Sequence, residues 1–200
     1  MFFDAWRTAK RGLLGLFWTA RDILFFRLSR IICGKNFKSV GRIYWHVHRR
    51  GQLMIGSNVR ILSSYSANVV GAENRACIQV LPGGFLSIGD CVGISNSTIV
   101  CFREITIESN VFIGGGCHIY DTNFHDLNAQ RRVSQVDEVI DSAPIILREY
   151  CFIGAHAIIL KGVEIGRESI IAAGSLVTNN VPAREVWGGV PAKYIRKIDE

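Results

Sequence analysis

The sequence predicts an all-β solenoid, a parallel coil of short strands that turns a corner every sixth residue, and three observations predict it. Aliphatic residues fall at Leu147, Ile153, Ile159, Ile165, Ile171 and Val177, five consecutive steps of six. Four residues after the first five of these stand Cys151, Ala157, Val163, Ser169 and Ser175, all small or β-branched. Glycine follows the aliphatic residue at positions 56, 89, 114, 154 and 166, where a tight corner benefits from a permissive backbone. A period of six matches neither a helix of about 3.6 residues per turn nor a long two-residue alternation. It fits short strands, each turning one aliphatic side chain inward, with three faces to a coil of about eighteen residues.

The same interval recurs upstream at Ile107, Ile113 and Ile119, at Ile88, Ile94 and Val100, and at Ile55 and Ile61, with one extra residue between Val100 and Ile107. Two hundred residues, 48% of them hydrophobic, suffice for one domain with a real core and a small appendage. The expected division is a basic aromatic capping segment over 1–50 and a coil domain over 51–198 that carries a loop at 120–144.

The appendage is chemically distinct from the coil. Residues 1–50 hold eleven Lys/Arg against two acids, whereas residues 51–200 hold twelve against fifteen. Trp6, Leu13, Phe17, Ala20, Leu24, Leu28 and Ile31 recur at three-, four- and seven-residue steps, the stripe of one helical face. The longest charge-free run there, Gly12 to Ala20, is far shorter than the roughly 18 apolar residues needed to cross a bilayer. Trp18 stands where a signal peptide needs a small residue before cleavage, so a cytoplasmic chain is expected. Stripe and charge fit two arrangements of residues 1–35: a helix lying peripherally on the inner membrane surface, or one docked on its own body or a neighbouring subunit. A nucleic-acid role is disfavoured, because the positive charge is confined to this aromatic helix and no recognition motif occurs.

Six cysteines, at 33, 77, 91, 101, 117 and 151, include no C-x-x-C pair and read as reduced thiols, with Cys117 in an inward core phase. His46 and His48 alternate like solvent-facing strand residues, with nothing nearby to complete a metal set.

The interval stops between Ile119 and Leu147, 28 residues apart. The intervening stretch holds Asp121, His125, Asp126, Arg131, Arg132, Asp137, Glu138 and Asp141, and a long polar excursion from a compact scaffold is usually functional. His125 follows directly on a well-timed coil, which would hold it firmly.

The repeats, "NFHD" at the loop, "GISNSTIV" before it, and "CFIGAHAIILKGVEIG", "IIAAGSLVTNNVP" and "VWGGVPAKYIRKI" after it together resemble the hexapeptide-repeat acyltransferases over roughly residues 51–198. The resemblance is to galactoside, maltose and streptogramin acetyltransferases and to bacterial polysaccharide O-acetyltransferases. It implies a left-handed coil, a handedness that periodicity alone does not provide. It also implies a homotrimer whose grooves between subunits bind acetyl-CoA as acyl donor, with no metal required.

By the same resemblance His125 is the general base, a role imidazole fits near neutral pH. Asn96, Asp121 and Asn123 would stand near the acceptor. A backbone carbonyl or a carboxylate would orient His125, and of the carboxylates Asp121 and Asp126 are close in sequence. Ala155, Ala173 and Gly174 would let the pantetheine arm approach the backbone, and Lys193 and Arg196 would face the nucleotide phosphates. Asn179 stands where several relatives carry lysine and Phe152 where many carry tryptophan. The expected reaction is O-acetylation of a sugar hydroxyl in a bacterial surface-polysaccharide precursor. The competing readings are sugar N-acylation, a non-catalytic trimer, and a gamma-type carbonic anhydrase using His118, His125 and His156, whose spacing departs from that family's pattern.

Overall fold

The computed structural model describes residues 2–134 and 140–199, with side chains in the first helix described from residue 15 onward. Trp6 and Leu13 of the helical stripe, and Asp137 and Glu138 of the loop, therefore lie outside the described side chains. The chain opens with α1 (Phe2–Leu28) and then winds six coils of three strands each. The first coil is β1 (Ile32–Cys33), β2 (Lys38–Gly41) and β3 (Tyr44–Val47), and the second is β4 (Gln52–Ile55), β5 (Arg60–Ser63) and β6 (Cys77–Val80). The third holds β7 (Phe85–Ile88), β8 (Gly93–Ser95) and β9 (Thr98–Cys101), and the fourth β10 (Glu104–Ile107), β11 (Phe112–Ile113) and β12 (His118–Tyr120). A loop bearing α2 (Ala129–Ser134) leads to β13 (Ile145–Leu147), β14 (Phe152–Ile153) and β15 (Ile158–Leu160). The last coil is β16 (Glu164–Ile165), β17 (Ile170–Ile171) and β18 (Leu176–Val177), followed by the hairpin β19 (Glu185–Gly189) and β20 (Ala192–Lys197).

Every third strand joins one sheet, giving a parallel β-helix with three faces, left-handed as in hexapeptide-repeat proteins. The first face is β1-β4-β7-β10-β13-β16, the second runs β2-β5-β8-β11-β14-β17-β19-β20, and the third is β3-β6-β9-β12-β15-β18. Register stacks like on like: Ile55, Ile88, Ile107, Leu147 and Ile165 form one inward column and Ile61, Ile94, Ile113, Ile153 and Ile171 another. These side chains are buried, and columns of similar aliphatics give each coil close contacts with its neighbours.

Two expectations need correction. Pairing of Ile99 with Ile78 and Ile119 makes Ile99, not Val100, the inward residue of its column. The corner at Asn96 is one residue shorter than those above it, so the interval there is five. The coil also begins at Ile32 rather than after residue 50, since β1, β2 and β3 pair with β4, β5 and β6. Ser39 and Trp45 occupy the inward register of this first coil, where no aliphatic signal marks it.

The helix closes the coil's open end. Phe26 is buried with its ring 5.1 Å from Phe37 and 4.9 Å from Trp45. Thr19 Oγ1 donates to the Ser39 carbonyl at 3.2 Å and accepts from the Ser39 amide at 3.0 Å. Asp22, fully buried, accepts from Trp45 Nε1 at 3.0 Å and from the Arg21 guanidinium. The stripe read from sequence instead faces outward at Phe17, Ala20, Leu24 and Leu28, and only Ile31 of its described members is buried.

Candidate active site

The residues singled out in the sequence fall at two different corners of the triangle. Asn96, Ala155, Ala173 and Gly174 stand where the second face turns into the third, whereas Asp121, Asn123 and His125 stand where the third turns into the first. One chain thus presents two separate sets.

At the second-to-third corner, Asn96, Gly116, His156 and Gly174 stack in successive coils with φ of 42°, 71°, 60° and 70°. The tight turn requires left-handed backbone at this level. Gly174 meets this need without steric crowding, because a Cβ there would find nothing within 4 Å. Main-chain bonds run up the corner: Gly116 N donates to the Asn96 carbonyl at 3.2 Å, His156 N to Gly115 at 2.8 Å and Gly174 N to Ala155 at 2.8 Å. Ala173 and Gly174 are exposed, so an extended arm could lie on this backbone. The hairpin runs alongside: Ala172 N donates to the Trp187 carbonyl at 2.8 Å, and Gly188, whose cross-strand partner is Lys193, packs on Ala172. Lys193 and Arg196 are both exposed on β20, with Arg196 Nη1 donating to the Lys197 carbonyl at 3.0 Å.

A second excursion from the coil, residues 64–76, joins this corner and was not recognised in the sequence. Asn96 Nδ2 donates to the carbonyls of Asn68 at 3.0 Å and Val70 at 3.1 Å, while Asn96 Oδ1 is buried without a protein partner. Glycine permits the contact: a Cβ on Gly115 would come within 2.0 Å of the Val70 carbonyl oxygen, and one on Gly71 within 2.1 Å of the Gly116 amide. Glu73 on the loop approaches His156 Nδ1 to 3.7 Å. The loop walls an open groove of about 390 Å³ that runs over the second face from Arg60 past Gly93 and Phe112 to Phe152 and Ala155. Phe112 and Phe152 are neighbours in register with exposed rings, and Gly93 leaves room for Phe112. The signal for this loop was available, since Ile61 and the next inward residue along the chain, Ile78, are seventeen residues apart.

At the other corner, the 121–144 loop is clamped at its base. Thr122 bridges Ser142, Asn123 N donates to the Asp141 carbonyl at 3.0 Å, and Ala143 N to that of Asp121 at 3.1 Å. The Asp121 carboxylate accepts the amides of Phe102, Arg103 and Glu104, each at 2.7 Å. Burial pushes its carboxyl up, and these amides pull in the opposite direction by favouring the charged form. The Asp121 carboxylate is thus buried and bonded to the corner one coil below. Asp126 accepts from Asn128 N at 2.8 Å and from Arg131 Nη1 at 3.5 Å.

His125 is exposed, its amide donating to the Asn123 carbonyl at 2.8 Å. Phe124 immediately before it sits at φ 63°, strained for a bulky residue, with its ring edge-on to Tyr120 at 5.2 Å. His118 instead bonds the Tyr120 hydroxyl at 2.6 Å, and among the described residues no three side chains gather as a metal site. Burial raises the thiols of Cys101, Cys117 and Cys151, the last to about 12, which leaves them poor nucleophiles.

Comparison with known proteins agrees with the coil. Residues 144–179 match the family model described as bacterial transferase hexapeptide (six repeats). Over that stretch the chain carries the hexapeptide repeat, and it is similar to acyltransferases built on that repeat. It is 46% identical over 74 residues, 37% of its own length, to the 2,3,4,5-tetrahydropyridine-2,6-dicarboxylate N-acetyltransferase of Clostridium perfringens, of which it spans 31%. Among solved structures it resembles the hexapeptide-repeat acetyltransferase VCA0836 of Vibrio cholerae in complex with acetyl-CoA, at 31% identity and a TM-score of 0.53, over 57% of this chain and 61% of that one. It also resembles a galactoside acetyltransferase in complex with coenzyme A, at 28% identity and a TM-score of 0.50, over 82% and 66%. The chain thus spans less than two thirds of the length of each.

Proposed function

We propose that this hexapeptide-repeat protein is an acetyl-CoA-dependent O-acetyltransferase acting on a sugar hydroxyl of a surface-polysaccharide precursor, and that it works as a homotrimer in the cytoplasm, peripherally at the inner membrane through residues 1–35. The observation that carries the reading is the split between corners. A base at one corner and a small-residue backbone at another can act together when neighbouring coils bring unlike corners face to face, as a threefold assembly does. The acetyl-CoA and coenzyme A complexes of the two solved relatives support the donor.

In this reading Ala155, Ala173 and Gly174 receive the pantetheine arm, and Lys193 and Arg196 meet the phosphates. The acceptor lies near Asn96 and Asn123, and the largely apolar groove, with its phenylalanine floor and with Arg60, Asn68 and Ser95 on its lining, suits a ligand of mixed apolar and hydroxyl surface. His125 takes the proton of the acceptor hydroxyl as its oxygen attacks the thioester carbonyl. Collapse of the tetrahedral intermediate breaks the carbon–sulfur bond, and the departing thiolate recovers the proton from the imidazolium. The product is the acetyl ester and free coenzyme A.

The test is thioester consumption with product mass, using acetyl-CoA and a panel of sugars, nucleotide sugars and lipid-linked glycans. Wild type should add one acetyl group, and His125→Ala should lower the rate by about 10²–10⁴-fold while still binding coenzyme A. Unchanged acetylation by the variant would remove His125 from the mechanism. The clostridial relative favours a second reading, transfer to an amine. An adduct that survives alkaline hydroxylamine, which cleaves oxygen esters, is an amide and would select it.

A further inference from the structure

The helix that closes the coil has a second face with no counterpart among the described residues. With about 100° between successive residues, Asp22 and Phe26 point at the first coil, and Phe17, Ala20, Leu24 and Leu28 form a row on the side away from it. Phe17 is 60% exposed, Leu24 57% and Leu28 76%. Large apolar side chains so exposed and adjacent on one helical face are unusual for a soluble surface and mark a contact.

Charge indicates the kind of partner. Exposed Arg27 borders the row and exposed Arg30 follows at the end of the helix, with exposed Lys35 and Lys38 in the first coil. Residues 1–50 as a whole carry eleven cations against two acids, while the remaining coils are mildly acidic. One end of a rod-like molecule is therefore positive. A second copy docking through the same face would bring two such ends together, whereas an anionic surface would be attracted by both the charge and the apolar row. No described helix is long and apolar enough to cross a membrane, so the row suits lying in a surface rather than spanning it.

We propose that the outer face of α1, through Phe17, Ala20, Leu24 and Leu28, lies in the headgroup region of an anionic lipid surface, with the cationic end of the coil turned towards it. The contact would hold the groove and both corners at a fixed orientation beside the bilayer. It rests on the membrane attachment proposed above for residues 1–35 and specifies the face and the lipid that make it, while vesicle binding is read without acetyl transfer.

Co-sedimentation of the full chain with vesicles of phosphatidylcholine alone, or mixed with phosphatidylglycerol, tests it. Binding is expected to the anionic vesicles, weakening as salt is raised. Phe17→Glu with Leu24→Glu should lower affinity at least tenfold at an unchanged melting temperature, since neither side chain is in the core. Arg27→Gln with Arg30→Gln should lower it roughly fivefold per arginine removed, which keeps the test alive should the first variant fold poorly. Absence of binding to phosphatidylglycerol vesicles, or undiminished binding by both variants, would overturn the proposal. So would a smaller solution mass for Phe17→Glu with Leu24→Glu than for wild type, because the row would then be an interface between copies of this chain.

Discussion

The two excursions from the coil are held in opposite ways. Loop 64–76 is fastened along its length: Asn96 grips the carbonyls of Asn68 and Val70, and Gly71 lies against the Gly115–Gly116 backbone. Loop 121–144 is fastened at its base, through Asp121, Thr122 and Asn123, and beyond the base exposes His125, Leu127 and Val133. A wall needs a fixed surface, whereas the base proposed at His125 needs a firm root and room for an acceptor. The difference teaches that a solenoid can build both kinds of loop with the same corner chemistry, by choosing where the hydrogen bonds go.

Three substitutions would break or sharpen that contrast. Asp121→Ala should have the largest effect, because it strips the amides of Phe102, Arg103 and Glu104 of their acceptor and frees the loop base together. A cost of about 3 kcal/mol is expected in urea unfolding, given roughly 1–3 kcal/mol for each buried donor left without a partner and some relief from water at the corner. Gly115→Ala should be next: its Cβ would collide with the Val70 carbonyl, and displacing the wall should cost about 2 kcal/mol in the same assay. Asn96→Gly keeps the left-handed corner but releases loop 64–76, for about 1 kcal/mol. Hydrogen exchange should then quicken over 64–76 and stay unchanged at 121–134; equal quickening in both would show that the loops are not held independently.

Much of the coil was legible because its signal is chemical and local. An aliphatic column has to recur at the spacing of the faces, and Leu147 through Val177 do so. Legibility failed where the physics changed. At Asn96 a left-handed corner is one residue short, which displaced the inward assignment from Ile99 to Val100. In the first coil Ser39 and Trp45 fill the inward register because α1 covers them, so no aliphatic repeat reported β1 to β3. His125 stood out because an imidazole ends a well-timed coil, yet Asp121, equally polar and equally near, is a cap for the corner below. Its carboxylate contacts residues 17 to 19 positions earlier, a separation that sequence proximity to His125 concealed. Loop 64–76 hid for a different cause: it carries few charges, and its anchor is made of backbone and glycine.

The placement of α1 has one more consequence. A parallel coil ends in a triangle of strand edges, here β1, β2 and β3, whose free amides and carbonyls are a template for the next chain. By lying across β2 and filling the mouth with Phe26, the helix makes the rod finite: it blocks end-to-end growth into a filament. Without residues 2–28 the same repeats that give the fold its regularity would give it a way to polymerise.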